Sequence, residues 1–419
     1  MIVRCPDCGT ESSTRTAQSE CDRCDGLLAV EHAITLSGTD LRELFDARAA
    51  EALRTPDAQV RSGVWRFREI VLDASPDEIV SHPEGNTPLL FRAAAADYAG
   101  VEGLLLKHEG HNPTGSFKDR GMTVAVTQAK RIGARAVACA STGNTSASLS
   151  AYAAQAGIPS FVFIPEGRVA AGKLAQTVAY GARTLQIRGD FDDCLRLARD
   201  ASEQLGVYLV NSVNPFRIEG QKTIVLELLQ QLGWNAPDWI ALPAGNLGNT
   251  SAFGKALQEA HRFGLIDRIP RLLAVQAAGA APFAQAYREK FTKRISVRAE
   301  TRATAIRIGD PASWERAVRA MAATNGVVES VTDDEIFAAK AVIDHCGVGC
   351  EPASAASVAG VRALVARGEI RRDERVVAVL TGNLLKDPSG GAVVEPSPPL
   401  TPEDALTLLE GVVSRQERH

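Results

Sequence analysis

From Gly100 onward, short apolar runs alternate with longer stretches of helical periodicity, and this rhythm restricts the fold more than any other feature of the chain. AVACA (136–140) is followed by SASLSAYAAQAG, SFVFI (160–164) by KLAQTVAYGA, and TLQI (184–187) by DCLRLARDASEQLG. Such alternation predicts βαβ units and parallel sheet. The rhythm returns in WIALP (239–243) before a helix expected to begin near Thr250, in RLLAVQ (271–276) and in RVVAVLTG (375–382), so two α/β halves account for it. The predicted class is therefore α/β, with two open twisted sheet domains flanked by helices and a small N-terminal ribbon. The expected boundaries are a ribbon over 1–30, a polar extension over 31–83, α/β domains over 84–210 and 211–395, and a tail over 396–419. In the tail, Thr401 as N-cap and Pro402 at the first helical position predict a short helix.

The ribbon rests on cysteines. Cys5 and Cys8, then Cys21 and Cys24, form two C-x-x-C knuckles whose spacing suits one tetrahedral Zn²⁺ held by four thiolates. A loop with incidental cysteines is the alternative. The other four, Cys139, Cys194, Cys346 and Cys350, lie in apolar surroundings and read as small core residues. With 419 residues, 45% of them hydrophobic, the chain can bury more than one core. A net charge of −4 offers no global attraction for nucleic acid or anionic membrane, which leaves a small molecule as the expected partner. The N-terminus lacks the apolar run of a signal peptide and no stretch is long enough to span a bilayer, so a cytoplasmic location is expected.

Three segments carry chemistry. NPTGSFKDRG (112–121) is a turn that should deliver Phe117 and Lys118 to the first turn of a helix. There the positive end of the helix dipole and burial both disfavour a lysine's ammonium form, as a lysine that attacks an aldehyde requires. An ordinary lysine paired with Asp119 is the alternative. STGNTS (141–146) follows AVACA and precedes an alanine-rich helix, so it presents N–H and O–H donors that suit a carboxylate. A second strand-to-helix turn, GNLGN (245–249), has two glycines that permit close backbone approach and could wrap a phosphate. It is no P-loop, since the lysine of that motif is missing.

Together these segments resemble the threonine synthases, in the tryptophan synthase β group of pyridoxal phosphate enzymes. The resemblance spans roughly Glu84 to Pro388, through EGNTPL, NPTGSFKDRGM, ACASTGNTSAS, NSVNPFRIEGQKT, LPAGNLGNTSA, QAAGAAP, ATAIRIGDPASW, EPASAAS and LTGNLLKDP. The four-cysteine head is similar to the ribbon that precedes some threonine synthases. The resemblance implies that pyridoxal 5'-phosphate sits in the cleft between the two domains. Lys118 would hold it as a Schiff base, with Phe117 and Asn144 flanking the ring and Asn144 bonding its 3'-hydroxyl. Gly245, Asn246, Leu247, Gly248 and Asn249 would hold the cofactor phosphate, and Thr381 would meet the pyridine nitrogen. Ser141, Thr142 and Thr145 would receive the substrate carboxylate, while Ser212, Arg217 and Asn246 would bind the substrate phosphate; a surface salt bridge is the plainer reading of Arg217.

The implied reaction converts O-phospho-L-homoserine and water to L-threonine and phosphate by γ-elimination and β-addition, in a homodimer. Two departures from the family pattern stand out, Asn383 where His is common and Leu247 where a smaller residue is frequent. They leave room for a paralogous lyase such as a cysteate synthase or threonine dehydratase. A zinc-ribbon binding module on a retired enzyme body is the non-enzymatic alternative.

Overall fold

The structure is a computed structural model that describes residues 1–141, 143–166, 171–189, 191–387, 401–402 and 404–405. The head is a three-stranded antiparallel sheet of β1 (Ile2–Arg4), β2 (Glu11–Ser12) and β3 (Ala29–Glu31), in the order β2-β1-β3. The chain then lays down β4 (Leu89–Phe91) and β5 (Gly103–His108). It builds a separate four-stranded sheet from β6 (Ala136–Ala140), β7 (Ser160–Pro165), β8 (Arg183–Ile187) and β9 (Val207–Leu209), and returns with β10 (Trp239–Pro243), β11 (Arg271–Ala277), β12 (Val327–Val331) and β13 (Arg375–Leu380). The four-stranded sheet has the order β8-β7-β6-β9 and is parallel throughout. The six-stranded sheet has the order β12-β11-β10-β13-β5-β4 and is parallel except for β4 at its edge. Its inner strands are buried along their length because helices cover both faces, which is why WIALP and VVAVL carry no polar alternation.

Two expectations about organisation meet a different arrangement. The segment 84–210 divides between two sheets, since β4 and β5 pair into the sheet of β10–β13. Strand partners are chosen by where apolar faces meet, so a linear boundary cannot express this. The polar extension, in turn, is partly core. After helix Gly38–Glu51, a 3₁₀ segment over Trp65–Ile70 buries Trp65, Phe67 and Ile70. Of the tail helix only the start is described, where the Thr401 hydroxyl accepts from the Asp404 N–H as an N-cap should.

A cluster of buried charges ties these parts together. The Arg120 guanidinium, fully buried on helix Lys118–Arg131, donates from Nε to Glu109 at 2.7 Å and from Nη2 to Glu227 at 2.9 Å. Glu227, on helix Thr223–Gln231, also takes Lys107 of β5 at 2.6 Å, Arg66 of the extension at 3.1 Å, and the N–H groups of Asn86 and Thr87. These cations hold the Glu227 carboxyl well below its ordinary range against the opposing effect of burial. A second cluster joins the head to the body: His32 meets Glu219 at 2.8 Å, and the Lys222 ammonium bridges Glu219 and Glu259 at 2.5 and 2.6 Å, taking the position a cation would occupy among those acids.

Removing one charge from a buried network leaves the others uncompensated, at a cost of about 3–5 kcal/mol. Glu227→Gln should therefore lower the urea unfolding midpoint by a corresponding amount. Exposed Glu102→Gln, the control, should leave the midpoint nearly unchanged. Equal midpoints for the two variants would show that the cluster does not hold the domains.

Candidate active site

The cleft between the two parallel sheets holds a cavity of about 340 Å³, at the C-terminal ends of β6, β10 and β13. This is where an open α/β sheet presents its loops and helix N-termini. Lys118 is the first residue of its helix and is aimed by the preceding turn, in which the Phe117 N–H donates to the Thr381 carbonyl at 3.0 Å and Ser116 bridges to Gly382. The pairing with Asp119 does not form. Asp119 faces the other way and accepts from the Thr114 N–H at 2.7 Å and hydroxyl at 2.6 Å. Lys118 Nζ instead sits 4.4 Å from the centre of the Phe117 ring, lining the cavity.

The electrostatics follow from the surroundings. Burial is the larger cause and the Arg217 cation the second in pushing the Lys118 ammonium down to about 7, with Glu351 opposing them. Arg217 is itself 1% exposed. It donates from Nη1 to the Val210 carbonyl at 3.1 Å and from Nη2 to Gln221 Oε1 at 3.4 Å, while its Nε has no partner. Among the described residues it makes no ion pair, and burial pushes it down to about 10. It is not the surface salt bridge that the plainer reading supposed. Two glycines bring it near Lys118: a Cβ on Gly220 would lie 1.8 Å from the Arg120 carbonyl, and one on Gly121 would lie 3.0 Å from the Arg217 carbonyl, so the backbones of the two helices touch.

The GNLGN turn has its strain in an unexpected place. Leu247 has φ of 63°, the left-handed conformation that costs a non-glycine residue about 1 kcal/mol, and it caps helix Gly248–Arg262, which therefore begins two residues before the expected Thr250. Of the two glycines, Gly245 is the one a close approach requires, since its Cβ would lie 3.0 Å from the Ile306 Cα, whereas Gly248 has ordinary space. Beyond Leu247 the first-turn amides of the helix have no intrahelical acceptor, and Gly248 and Asn249 of that turn line the cavity. Leu247 is also 2% exposed, so its side chain anchors the turn in the core.

Phe117, Lys118, Ser141, Asn144, Thr145, Ser212, Arg217, Gly245, Asn246, Leu247, Gly248, Asn249 and Thr381 all line this one cavity; Thr142 lies outside the described residues. Asn144 begins helix Asn144–Ala156. Asn246 donates from Nδ2 to the Ser212 hydroxyl, and Asn249 Oδ1 accepts from Gln221 at 2.7 Å. The cavity also contains Glu351, Lys386 and Asp387, which sequence reasoning did not single out. The Glu351 carboxyl accepts from Asn144 Nδ2 at 3.0 Å and from the Thr381 hydroxyl at 3.3 Å, and burial raises its pKa. Thr381 shares a further 3.0 Å bond with Ser354. An acid immediately before a proline and a run of small apolar residues, as in CEPASAAS, is the signal that could have exposed Glu351.

Comparison with known proteins agrees with this geometry. The family model described as "Pyridoxal-phosphate dependent enzyme" matches residues 80–382. The chain is similar to the threonine synthase of Methanocaldococcus jannaschii, with 42% identity over 99% of each chain. It is also similar to that of Mycobacterium leprae, with 52% identity over 78% of this chain and 89% of the other. The chain belongs to the threonine synthases of the pyridoxal-phosphate dependent enzymes. Among solved structures it is similar in fold to threonine synthase from Escherichia coli, with a TM-score of 0.72 at 19% identity, covering 96% of this chain and 93% of that one. It also matches threonine deaminase isoform 2 from Solanum lycopersicum, with a TM-score of 0.62 at 20% identity, covering 85% and 93% of the two chains. No helix among the described residues is long and apolar enough to cross a membrane.

The depressed Lys118 predicts a pH dependence for cofactor uptake by the apo-protein. Only the neutral amine attacks an aldehyde, and it becomes the larger fraction above about pH 7. Uptake should therefore rise through pH 7 and level off, whereas a lysine at its ordinary 10.5 would still be gaining. Arg217→Met removes a cation and should move the midpoint upward. Stopped-flow absorbance against pH measures both, and a midpoint near 10 in the parent would contradict the site's electrostatics.

Proposed function

We propose that this threonine synthase makes threonine from O-phospho-L-homoserine and water, with Lys118 as the catalytic base and Arg217 holding the leaving phosphate. The observation that carries the reading is Arg217 itself, a buried guanidinium with an unpartnered Nε, no ion pair among the described residues, and a place in the same cavity as the depressed Lys118. A planar fork of donors buried without an acid is suited to a phosphate dianion.

The residues present fit pyridoxal phosphate. Lys118 supplies the amine. The amides of Gly245 to Asn249 would supply a phosphate cradle, since all five residues of that strand-to-helix turn line the cavity. Phe117 and Asn144 would flank the ring, and the Glu351 bond to Asn144 Nδ2 leaves Oδ1 as the acceptor for the ring hydroxyl. Thr381 would meet the pyridine nitrogen as a neutral group. When bound, the cofactor supplies a conjugated ring that absorbs electron density from the substrate's α-carbon.

The chain's own residues supply the rest. Lys118 would remove the proton at Cα, carry one from Cβ to Cγ, where phosphate has left, and return one to Cα at the end, which needs an amine balanced near neutrality. Ser141 and Thr145, with Thr142, receive the carboxylate at the start of helix Asn144–Ala156. Ser212 and Asn246, already bonded to each other, join Arg217 around the phosphate as it departs from Cγ. The walls of the cleft keep bulk water from diverting the reaction, while one water adds at Cβ. A phosphorylated γ-position separates this reading from threonine dehydratase, whose substrate has no phosphate for Arg217 to bind.

We also propose that the head binds zinc. The sulfurs of Cys5 and Cys24 lie 3.5 Å apart, those of Cys8 and Cys21 3.6 Å, and all four lie within 4.8 Å of one another. Four thiolates at about 2.3 Å from one Zn²⁺ in a tetrahedron stand ~3.8 Å apart, so the donor set suits that ion.

Three outcomes are expected. Lys118→Ala should fold, and should lose both activity and the absorbance of lysine-bound cofactor; a variant that kept that absorbance would refute the assignment. Arg217→Lys keeps the charge but loses the fork, so kcat/KM on phosphohomoserine should fall about tenfold to a hundredfold. A parental rate there, or a parent enzyme that prefers phosphoserine or threonine, would replace this reading with the paralogous lyase. Metal analysis of freshly purified protein should find about one zinc per chain.

A further inference from the structure

Helix Trp314–Ala323 lies between the cysteine head and the cleft, and its polar contacts run to both. Arg316 donates from Nη1 to the Val213 carbonyl at 3.2 Å and from Nη2 to the Leu28 carbonyl. Leu28 stands just beyond the last cysteine of the head, and Val213 is the neighbour of Ser212. Immediately before the helix, the Ala312 N–H donates to Asn246 Oδ1 at 2.6 Å and the Ser313 N–H to the Asn246 carbonyl at 3.4 Å. Gly254 of helix Gly248–Arg262 anchors the other half, where a Cβ would lie 2.2 Å from the Ala320 Cβ. One short helix thus touches the head, the Ser212 loop and the Asn246 turn.

The seam between head and body is not solidly packed. It holds an open cleft of about 540 Å³, bounded by Leu28 and Val30 of the head, Ile218 and Lys255 of the body, and Arg316. Around that opening the apolar side chains Val3, Leu28 and Val30 join the body's core, and polar links fix the head's register, among them His32 to Glu219 and Lys255 to the Val30 carbonyl. Arg319 meets Asp7 at 2.9 Å, but both side chains are well exposed, so that pair contributes little. Arg316 differs because it is partly buried, makes no ion pair among the described residues, and bonds a carbonyl at each end.

We propose that Arg316 is a positioning residue for the substrate's phosphate, holding the Val213 carbonyl, and with it Ser212 and Arg217, against the cysteine head. It touches neither substrate nor cofactor. The proposal rests on the reading that Ser212 and Arg217 bind the leaving phosphate. Displacing the Val213 carbonyl would turn the Ser212 hydroxyl away from Asn246 and loosen the turn that leads into Arg217, while Lys118 and Thr381, on other elements, would keep their places.

The test uses the holoenzyme, with inorganic phosphate as a competitive probe of the subsite. Arg316→Met should raise KM and the phosphate inhibition constant together by about tenfold, the scale of one lost charge-assisted hydrogen bond. kcat should stay within about twofold and the cofactor absorbance should not change. Arg316→Lys, which reaches one carbonyl, should recover part of the loss, and exposed Arg319→Met should match the parent. Parental KM and phosphate inhibition in Arg316→Met would overturn the proposal. So would a joint loss of kcat, cofactor binding and phosphate affinity in both Arg316 variants, which would mark a purely structural role. Arg217→Lys separates the two levels. If it leaves phosphate inhibition unchanged, the subsite reading fails and this inference with it; if it weakens inhibition while Arg316→Met does not, only this inference fails.

Discussion

The guanidinium of Arg120 is the constraint on which the molecule's geometry depends. It is fully buried, so its donors must be met, and Glu109, Glu227 and Thr87 meet them from three different parts of the chain. No one of these partners can move without leaving a charge unpaired in a low-dielectric interior. Because Arg120 is two residues from Lys118 on the same helix, a network that looks purely structural also sets where the reactive amine stands. Lys107 and Arg66 extend the same clamp into β5 and the extension, which explains why a polar-looking linker takes part in the core.

The cleft works by an opposite arrangement. In the structural cluster every cation faces an acid, whereas in the cavity Arg217 makes no ion pair among the described residues and Lys118 is driven toward its neutral form. An enzyme that binds phosphates and attacks an aldehyde needs both conditions in one place. The two helices that carry these residues are allowed to touch by Gly121 and Gly220, and that contact brings Arg217 close enough to act on the lysine's proton. Glu351 moderates the effect: it opposes the depression of Lys118 while it is itself held by Asn144 and Thr381.

The two departures from the family pattern have local explanations. Leu247 adopts a left-handed conformation that a smaller residue would take more easily, and its buried side chain offsets the strain by anchoring the turn. Asn383 donates its N–H to the Gly115 carbonyl at 2.9 Å and caps the following 3₁₀ turn through Oδ1, so it holds the turn before Lys118. Neither position removes a group from the cavity.

The α/β class, the four clustered cysteines and about half of the residues lining the cleft were legible in the sequence. Each belongs to a short segment whose local conformation is set by its own residues: an apolar strand, a small or glycine-rich turn, a helix start. The sequence by itself determined that STGNTS, GNLGN and NPTGSFKDRG stand at strand or turn ends before helices, where N–H groups point outward. Only the tertiary structure decided that β4 and β5 join the sheet of β10–β13, that Glu351 faces Asn144, and that Arg217 makes no ion pair among the described residues while Arg120 is held from three sides. An arginine reads alike in both contexts along the chain. Its role depends on which carboxylates the packing brings within hydrogen-bond reach, and that distance is a property of the folded interior.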